Sequence, residues 1–362
     1  MYDLFWLYRP TAPSVRAQSI QVINAAWSMA ARGHRVTLAV QAPRGPSVSQ
    51  ADVLAFYGLT PIEGLHLHVL PSGRTAASAF FRMRFVQWLG RTAGQGVVIA
   101  RSKRYAREAL RGAGGRFRLI LEAHEVDSRQ AREAGEPSSQ LHDLEAEVLA
   151  GARGVVCNAP GTLDLLRASH PSLPPAVALH NATLASRART PCPSTEGIGY
   201  VGSIRAYKGL ETLAEAARLL RAPVTVVGPD RSPELSALSE GWMRFEASIP
   251  HRDVPDRLAQ FRVLVLPLAK GLFGAQLTSP LKLWDYLASG VPMVAADTPA
   301  LQCAAPGAFE GYPPGEADAL AQALRRVRDD PDVRRRLLEA ATIRTWADRA
   351  AELELFLQAV LD

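Results

Sequence analysis

The sequence predicts an α/β protein of two doubly wound lobes facing a cleft, and three observations predict it. The chain has 362 residues, more than the ~250–300 that one hydrophobic core usually organises. Short apolar runs alternate with helical patterns along nearly its whole length, as parallel strands joined by crossover helices do. Midway, residues 181–196 interrupt the alternation with a stretch rich in Ala, Ser, Thr and Pro, after which the same scheme begins again.

In the first lobe the strands are expected at Leu4–Tyr8, Arg35–Val40, Leu65–Leu70, Val97–Ala100, Arg118–Glu122, Gly154–Cys157 and Ala176–Leu179. They are β-branched and apolar, as strands buried on both faces should be. Helices are expected at Ala17–Arg32, Ala77–Gly90, Ser102–Arg111, Ser138–Ala150 and Thr162–Ala168, where apolar residues recur at three and four. Gly33, directly after Ala30-Ala31-Arg32, is a helix stop. In the second lobe strands are expected at Ile198–Val201, Val224–Val227, Trp242–Glu246, Val263–Leu266 and Val291–Ala295, with helices after Lys208, Pro233, Asp253, Pro280 and Pro299. From Gly315 to Asp362 the pattern is almost wholly helical. The expected division is therefore a domain at 1–180, a linker at 181–196, a second domain at 197–345, and a last helix at 346–362 that packs back on the first domain.

Hydrophobic residues make up 48% and charged residues 21% of the chain, a globular balance, and no apolar run reaches the ~18 residues a membrane span needs. The opening MYDLFWLYRP lacks a basic leader and a small-residue cleavage site, so a first strand and a cytoplasmic protein are expected. Cys157, Cys192 and Cys303 are far apart and lack CxxC or CxxH spacing, which points to neither a disulfide framework nor a thiolate metal site.

The net charge of +6 sits in the first half, where 20 basic residues face 13 acidic ones across 1–180. Arg74–Arg118 alone holds eleven basic residues and one acid, Glu108. Two readings stand: a solvated arginine-rich surface, or a face for a phosphate-bearing acceptor or an anionic membrane, where each nearby cation adds about 1 kcal/mol. A nucleic acid is not the expected partner, because Phe80, Phe81, Phe85, Trp88 and Tyr105 fall mostly at helical spacing rather than interleaving as a stacking platform.

Two motifs carry chemistry. In Ser279-Pro280-Leu281-Lys282-Leu283-Trp284-Asp285, Ser279 is the expected N-cap and Pro280 the first helical residue, leaving free amides suited to an anion. Lys282 and Asp285 then share one helix face: a cation beside the amides suits a diphosphate, and a carboxylate one turn on suits the hydroxyls of a ribose. The bland alternative is a capped helix with an incidental ion pair. In Gly199-Tyr200-Val201-Gly202-Ser203-Ile204-Arg205-Ala206-Tyr207-Lys208-Gly209, a strand ends in a glycine loop with a lysine at the mouth of a helix. Of the 41 basic residues only four are lysine, Lys103, Lys208, Lys270 and Lys282, and two of these fall inside the two motifs. A compact ammonium where the chain otherwise chooses arginine fits a phosphate.

These segments, with Ile249-Pro250-His251-Arg252-Asp253 and Val265-Leu266-Pro267 between them, resemble in order and spacing the donor domain of glycosyltransferase family 4, group 1 retaining enzymes of the GT-B fold with two Rossmann-like lobes. The likeness extends through Val15-Arg16, Arg32-Gly33-His34-Arg35-Val36, Glu122-Ala123-His124-Glu125 and His180-Asn181-Ala182. It implies transfer of a sugar from a UDP- or GDP-sugar, with retention and with neither metal nor cofactor, to a glycan, a lipid-linked glycan or a small molecule bound by the first lobe. By that resemblance Asp285 holds the ribose. Lys208, Arg205 and Lys282 hold the diphosphate with Gly202, Ser203, Thr278, Ser279, Pro280 and Leu281 around it. Ile249 and Pro250 lie against the base above Gly228, and His124 reaches the transferred sugar. Arg16, Arg82 and Arg84 are candidates for the acceptor, and the basic lobe is a candidate for peripheral contact with an anionic membrane at its inner face.

Three positions depart from the family pattern. Leu277 stands where a sugar-binding glutamate is usual, Ser203 replaces an arginine, and the loop Arg9–Arg16 lacks paired glycines. Two other functions therefore remain on the table: a weakly active or non-catalytic binding subunit, and a nucleotide-sugar epimerase of similar architecture.

Overall fold

The computed structural model describes residues 1–41, 48–70, 77–92, 95–112, 115–185, 196–228, 232–277 and 279–362. The chain divides into two compact units, Met1–His180 with Trp346–Asp362, and Asn181–Thr345. Residues 186–195, most of the expected linker, lie outside the described residues.

The first unit runs β1 (Asp3–Thr11), α1 (Ala17–Ala31), β2 (Arg35–Gln41), α2 (Gln50–Phe56), β3 (Leu65–Leu70), α3 (Ala77–Arg91), β4 (Gly96–Ala100), α4 (Lys103–Gly112), β5 (Phe117–Ala123), α5 (Asp127–Glu133), α6 (Ser139–Gly151), β6 (Gly154–Cys157), α7 (Pro160–Ser169) and β7 (Ala176–Ala178). All strand pairs are parallel, in the order β3-β2-β1-β4-β5-β6-β7. Every residue of β4 and β6 is buried, because helices cover both faces. The register of β1 on β2 is irregular between Leu7 and Thr11, a span containing Pro10, which has no N–H to give the ladder.

The second unit runs β8 (Glu196–Val201), α8 (Leu210–Leu220), β9 (Val224–Val227), α9 (Pro233–Leu238), β10 (Met243–Glu246), α10 (Val254–Ala259), β11 (Phe261–Leu266), α11 (Leu281–Ala288), β12 (Met293–Ala296), α12 (Pro299–Ala304), β13 (Glu310–Tyr312), α13 (Ala317–Asp329) and α14 (Pro331–Ala340). Its parallel sheet has the order β10-β9-β8-β11-β12-β13. The strand order reverses beside β8, and in an open sheet such a switch point is where ligands bind, beyond the carboxyl ends of the strands. A core of Leu213, Val226, Leu264, Val265, Leu266, Leu283, Val294 and Leu324 fills both faces. The two parallel sheets with flanking helices are the architecture the sequence predicts.

The last helix, α15 (Trp346–Leu361), belongs to the first unit and packs on α1. Its Glu354 accepts from Arg32 and contacts His34 Nε2 at 3.1 Å. Sequence periodicity did not reveal α2, α5 and β13, which are three to seven residues long and too short to show a period. The π-helical turn Phe273–Leu277 was also not expected.

Candidate functional site

In the second unit the two motifs meet at the carboxyl end of β8. Gly202 leaves the strand with φ +147°, a left-handed conformation that favours glycine, and its N–H donates to Val227 O at 2.7 Å. A Cβ on Gly202 would fall 2.0 Å from Lys282 Cε and 2.1 Å from its Nζ, so the lysine lies directly against this backbone. A Cβ on Gly228 would fall 2.5 Å from Gly202 O, which brings the end of β9 to the same place. Tyr286 of α11 secures the junction: Val201 N–H donates to its hydroxyl at 2.8 Å, and that hydroxyl donates to Val201 O at 3.3 Å. Lys282 Nζ donates to Tyr200 Oη at 2.5 Å and sits 3.9 Å from that ring's centroid. The Tyr200 hydroxyl in turn donates to Ser203 O at 2.8 Å.

The four lysines separate into two kinds. Lys103 is buried against Asp127 at 3.0 Å and Glu145 at 3.4 Å, and Lys270 is exposed beside Glu316 at 3.3 Å. Lys208 and Lys282 have no carboxylate partner among the described residues; Lys208 Nζ has only the Tyr207 ring, 4.6 Å away. Burial lowers Lys208 to about 8. Burial, and then the neighbouring Lys208, push Lys282 well below the ordinary lysine value. Two half-buried amines that repel each other, with no carboxylate partner among the described residues, have the charge arrangement that suits an anion.

One turn along α11, Asp285 Oδ1 accepts from the Thr183 hydroxyl at 2.8 Å and its Oδ2 lies 3.6 Å from His251 Nε2. Ile249 and Pro250, half-buried, lead into that histidine, so they and Asp285 belong to one neighbourhood. Arg205 is exposed at the start of the 3-10 turn Ala206–Lys208. Thr278 lies outside the described residues.

Two local expectations need correction. Ser279 does not cap α11 with its side chain: Pro280, at ψ 129°, is the N-cap and the helix begins at Leu281. The Ser279 hydroxyl instead accepts Asn181 N–H at 2.9 Å, and its carbonyl accepts from Asn181 Nδ2 at 2.5 Å. Pro280 cannot donate to a cap in any case, and the amides that start the helix are those of Leu281 and Lys282. Leu277 is fully buried in the π-helical turn, so its position belongs to the core and offers no side chain to a ligand.

In the first unit His124 follows β5 directly and is buried. Its Nε2 lies 3.5 Å from Oε1 of Glu122, and that oxygen accepts from Arg349 Nη2 and Gln21 Nε2, each at 2.7 Å. Burial lowers His124, as does Arg101, and although Glu122 opposes them the ring comes to about 4, neutral near pH 7. Burial raises Glu122, but His124, Arg349 and Arg101 outweigh it and the carboxyl comes to about 2. Sequence reasoning placed Glu122 beside His124 but missed Gln21 and Arg349, which are 101 and 227 residues from Glu122 and carry no motif.

Arg16 is exposed at the N-cap of α1, and Arg84 is exposed on α3; the side chain of Arg82 lies outside the described residues. Much of the basic stripe is engaged within the chain. Arg111 pairs with Glu147 at 2.6 Å, Arg116 donates to the carbonyls of Gly90 and Thr92, and Arg118 donates to Leu361 O. His142, Glu145 and His170 have metal-ligating donors within 4.8 Å of one another. The two rings, however, stack 4.5 Å apart at 14°, so their in-plane lone pairs lie in near-parallel planes, and the Lys103 ammonium already holds the carboxylate. As arranged, the cluster does not suit one shared ion.

The two α/β units, each built on a parallel sheet, have the GT-B fold. Residues 195–330, within the second unit, match the sequence model of the family described as Glycosyl transferases group 1. Three solved structures share the fold across almost the whole chain. Sucrose-phosphate synthase from Thermosynechococcus elongatus is 17% identical with TM-score 0.75, covering 99% of each chain. HepE from Anabaena, in complex with UDP and glucose, is 13% identical with TM-score 0.74, covering 99% of this chain and 100% of that one. The catalytic domain of starch synthase IV from Arabidopsis thaliana, bound to ADP and acarbose, is 11% identical with TM-score 0.71, covering 99% of each chain. No curated protein matches the sequence. Among the described residues no helix is long and apolar enough to cross a membrane.

Proposed function

We propose that this chain transfers a glycosyl group from a nucleoside diphosphate sugar to an acceptor hydroxyl, with retention of anomeric configuration and without a metal. The observation that carries the proposal is Lys282 laid against Gly202 with Lys208 near enough to disfavour its charge, neither lysine having a carboxylate partner among the described residues. Departure of a nucleoside diphosphate places negative charge on the leaving oxygen, and preorganised ammonium groups and helix amides stabilise that charge. Lys208, Lys282 and the amides of Leu281 and Lys282 hold the diphosphate beside Gly202, Ser203 and Arg205. Asp285 takes the ribose hydroxyls, and Ile249 and Pro250 lie against the base above Gly228. The two cations supply the charge a divalent ion would otherwise bring, and the donor is a co-substrate rather than a cofactor. The UDP and glucose of HepE and the ADP of starch synthase IV support a nucleotide-linked donor.

His124, as a neutral imidazole, meets the transferred sugar and orients its hydroxyls. The departing phosphate takes the acceptor proton on the face it leaves. The acceptor is a glycan, a lipid-linked glycan or a small molecule, with Arg16, Arg82 and Arg84 as its contacts. The protein works in the cytoplasm, and the exposed Arg84, Arg91 and Arg104 suit peripheral contact with an anionic inner membrane face. Incubation with a panel of UDP- and GDP-sugars tests the reading: one donor is consumed with release of its nucleoside diphosphate, and Lys282→Met abolishes the release. Consumption that is unchanged in Lys282→Met and Lys208→Met overturns it.

A second reading has its own observation. Leu277 is buried where the family pattern has a sugar-binding glutamate, which fits a subunit that binds nucleotide without transfer. Tight UDP or GDP binding with no donor turnover across the panel would favour it.

A further inference from the structure

A helix 16 residues long at the end of the chain would ordinarily turn its arginines to water, yet the side chain of Arg349 on α15 is 2% exposed. A buried guanidinium is costly unless matched by charge and hydrogen bonds. Its match is Glu122, whose side chain is 1% exposed and whose Oε1 receives both Arg349 and Gln21 at 2.7 Å. The third neighbour of that oxygen is His124 Nε2, at 3.5 Å, longer than a formed hydrogen bond. A neutral ring that turned a lone pair toward an ionised carboxylate oxygen would be repelled. The proton therefore belongs on Nε2, and Nδ1 keeps the free lone pair.

We propose that Arg349 is a positioning residue for His124: by engaging Glu122 it fixes the carboxylate against which the imidazole is oriented, so that the ring presents Nδ1 as an acceptor for a sugar hydroxyl. The identity of the hydroxyl rests on the glycosyl-transfer reading, whereas the orientation and tautomer do not. The charged groups acting on the ring are Glu122 of β5, Arg349 of α15 and Arg101 after β4, the last lying 4.0 Å from Glu125. After burial and Arg101, Arg349 is among the groups that hold the ring unprotonated, and Glu122 is the group that opposes them.

The test uses the full chain labelled with 15N-histidine, its long-range 1H–15N spectra followed from about pH 5 to about pH 8, with the His124 signals assigned by their loss in His124→Gln. The wild-type ring shows the Nε2–H tautomer throughout. In Arg349→Met the carboxylate is released to the imidazole, and the ring titrates inside that window; Arg349→Lys restores the wild-type spectrum. Should Arg349→Met not fold, Glu122→Gln/Arg349→Met removes both buried charges together, a change that cores tolerate better. An amide can present either its oxygen or its NH2, so mixed tautomers are expected there. A ring that keeps one Nε2–H tautomer and does not titrate in either Met variant overturns the proposal. If the spectra change as described while no nucleotide sugar is consumed, the positioning role stands and the transfer reading falls.

Discussion

The side chain of Lys282 crosses the α-carbon of Gly202, close enough that no other residue could stand there without moving it. Gly202→Ala therefore forces the ammonium out of the corner and also strains a backbone held at φ +147°. Calorimetry should show UDP affinity falling at least about tenfold, or about 1.4 kcal/mol. The thermal midpoint should fall by only about 2–8 °C, as a strained but still packed loop would give. Unchanged affinity would separate Gly202 from the site.

Lys208 lies near 8 in the free protein because of burial, and a bound diphosphate favours its charged form. Binding at pH 8 should therefore take up protons, and the uptake appears as a binding enthalpy that varies with the ionisation enthalpy of the buffer. Affinity should weaken as pH rises through about 8. Lys208→Arg should reduce both effects, since a guanidinium stays charged. Proton release on binding would contradict the assignment.

Asp285 shares the helix with Lys282 but is assigned to a different part of the donor. Asp285→Asn removes a charged acceptor, worth about 1.5–3 kcal/mol when hydrogen-bonded. UDP affinity should fall roughly tenfold or more, while affinity for inorganic pyrophosphate changes less than about twofold. Lys282→Met should weaken both ligands. Equal losses of UDP and pyrophosphate in Asp285→Asn would remove Asp285 from the ribose.

Leu277 is fully buried, so its replacement is a question of packing. Leu277→Ala should lower the stability measured by urea unfolding by about 2–5 kcal/mol. Leu277→Glu should cost more, because the carboxylate has no buried partner, and donor turnover should not rise. A Leu277→Glu protein as stable as the wild type would place this side chain outside the core.

Acid should weaken the first unit through His124 and Glu122. Unfolded His124 takes a proton at its ordinary value of 6.5 and folded His124 only at about 4, so the unfolded state binds more protons between them and stability falls as pH falls. Glu122 acts in the same direction lower down, its contribution present above the unfolded 4.5 and lost as pH falls toward about 2. The thermal midpoint should decline from about pH 6.5 downward, and His124→Asn should flatten the upper part of that decline. A midpoint rising between pH 6.5 and pH 4 would contradict the His124 value.

The sequence by itself determined the two parallel sheets, because β-branched runs such as Val97–Ala100 and Val263–Leu266 must be buried on both faces and only crossover helices can cover them. It also determined which glycines and lysines were set apart, since Gly202, Lys208 and Lys282 break local habits of composition visible at single positions. Only the tertiary structure decided what those residues touch. It laid Lys282 across Gly202, gave the Ser279 hydroxyl to Asn181 rather than to the helix, sent Leu277 inward, and brought Arg349 across 227 residues to Glu122. Periodicity reports which face of an element is buried and nothing about which distant element buries it. Partners joined by chain folding rather than by spacing leave no trace in the local pattern.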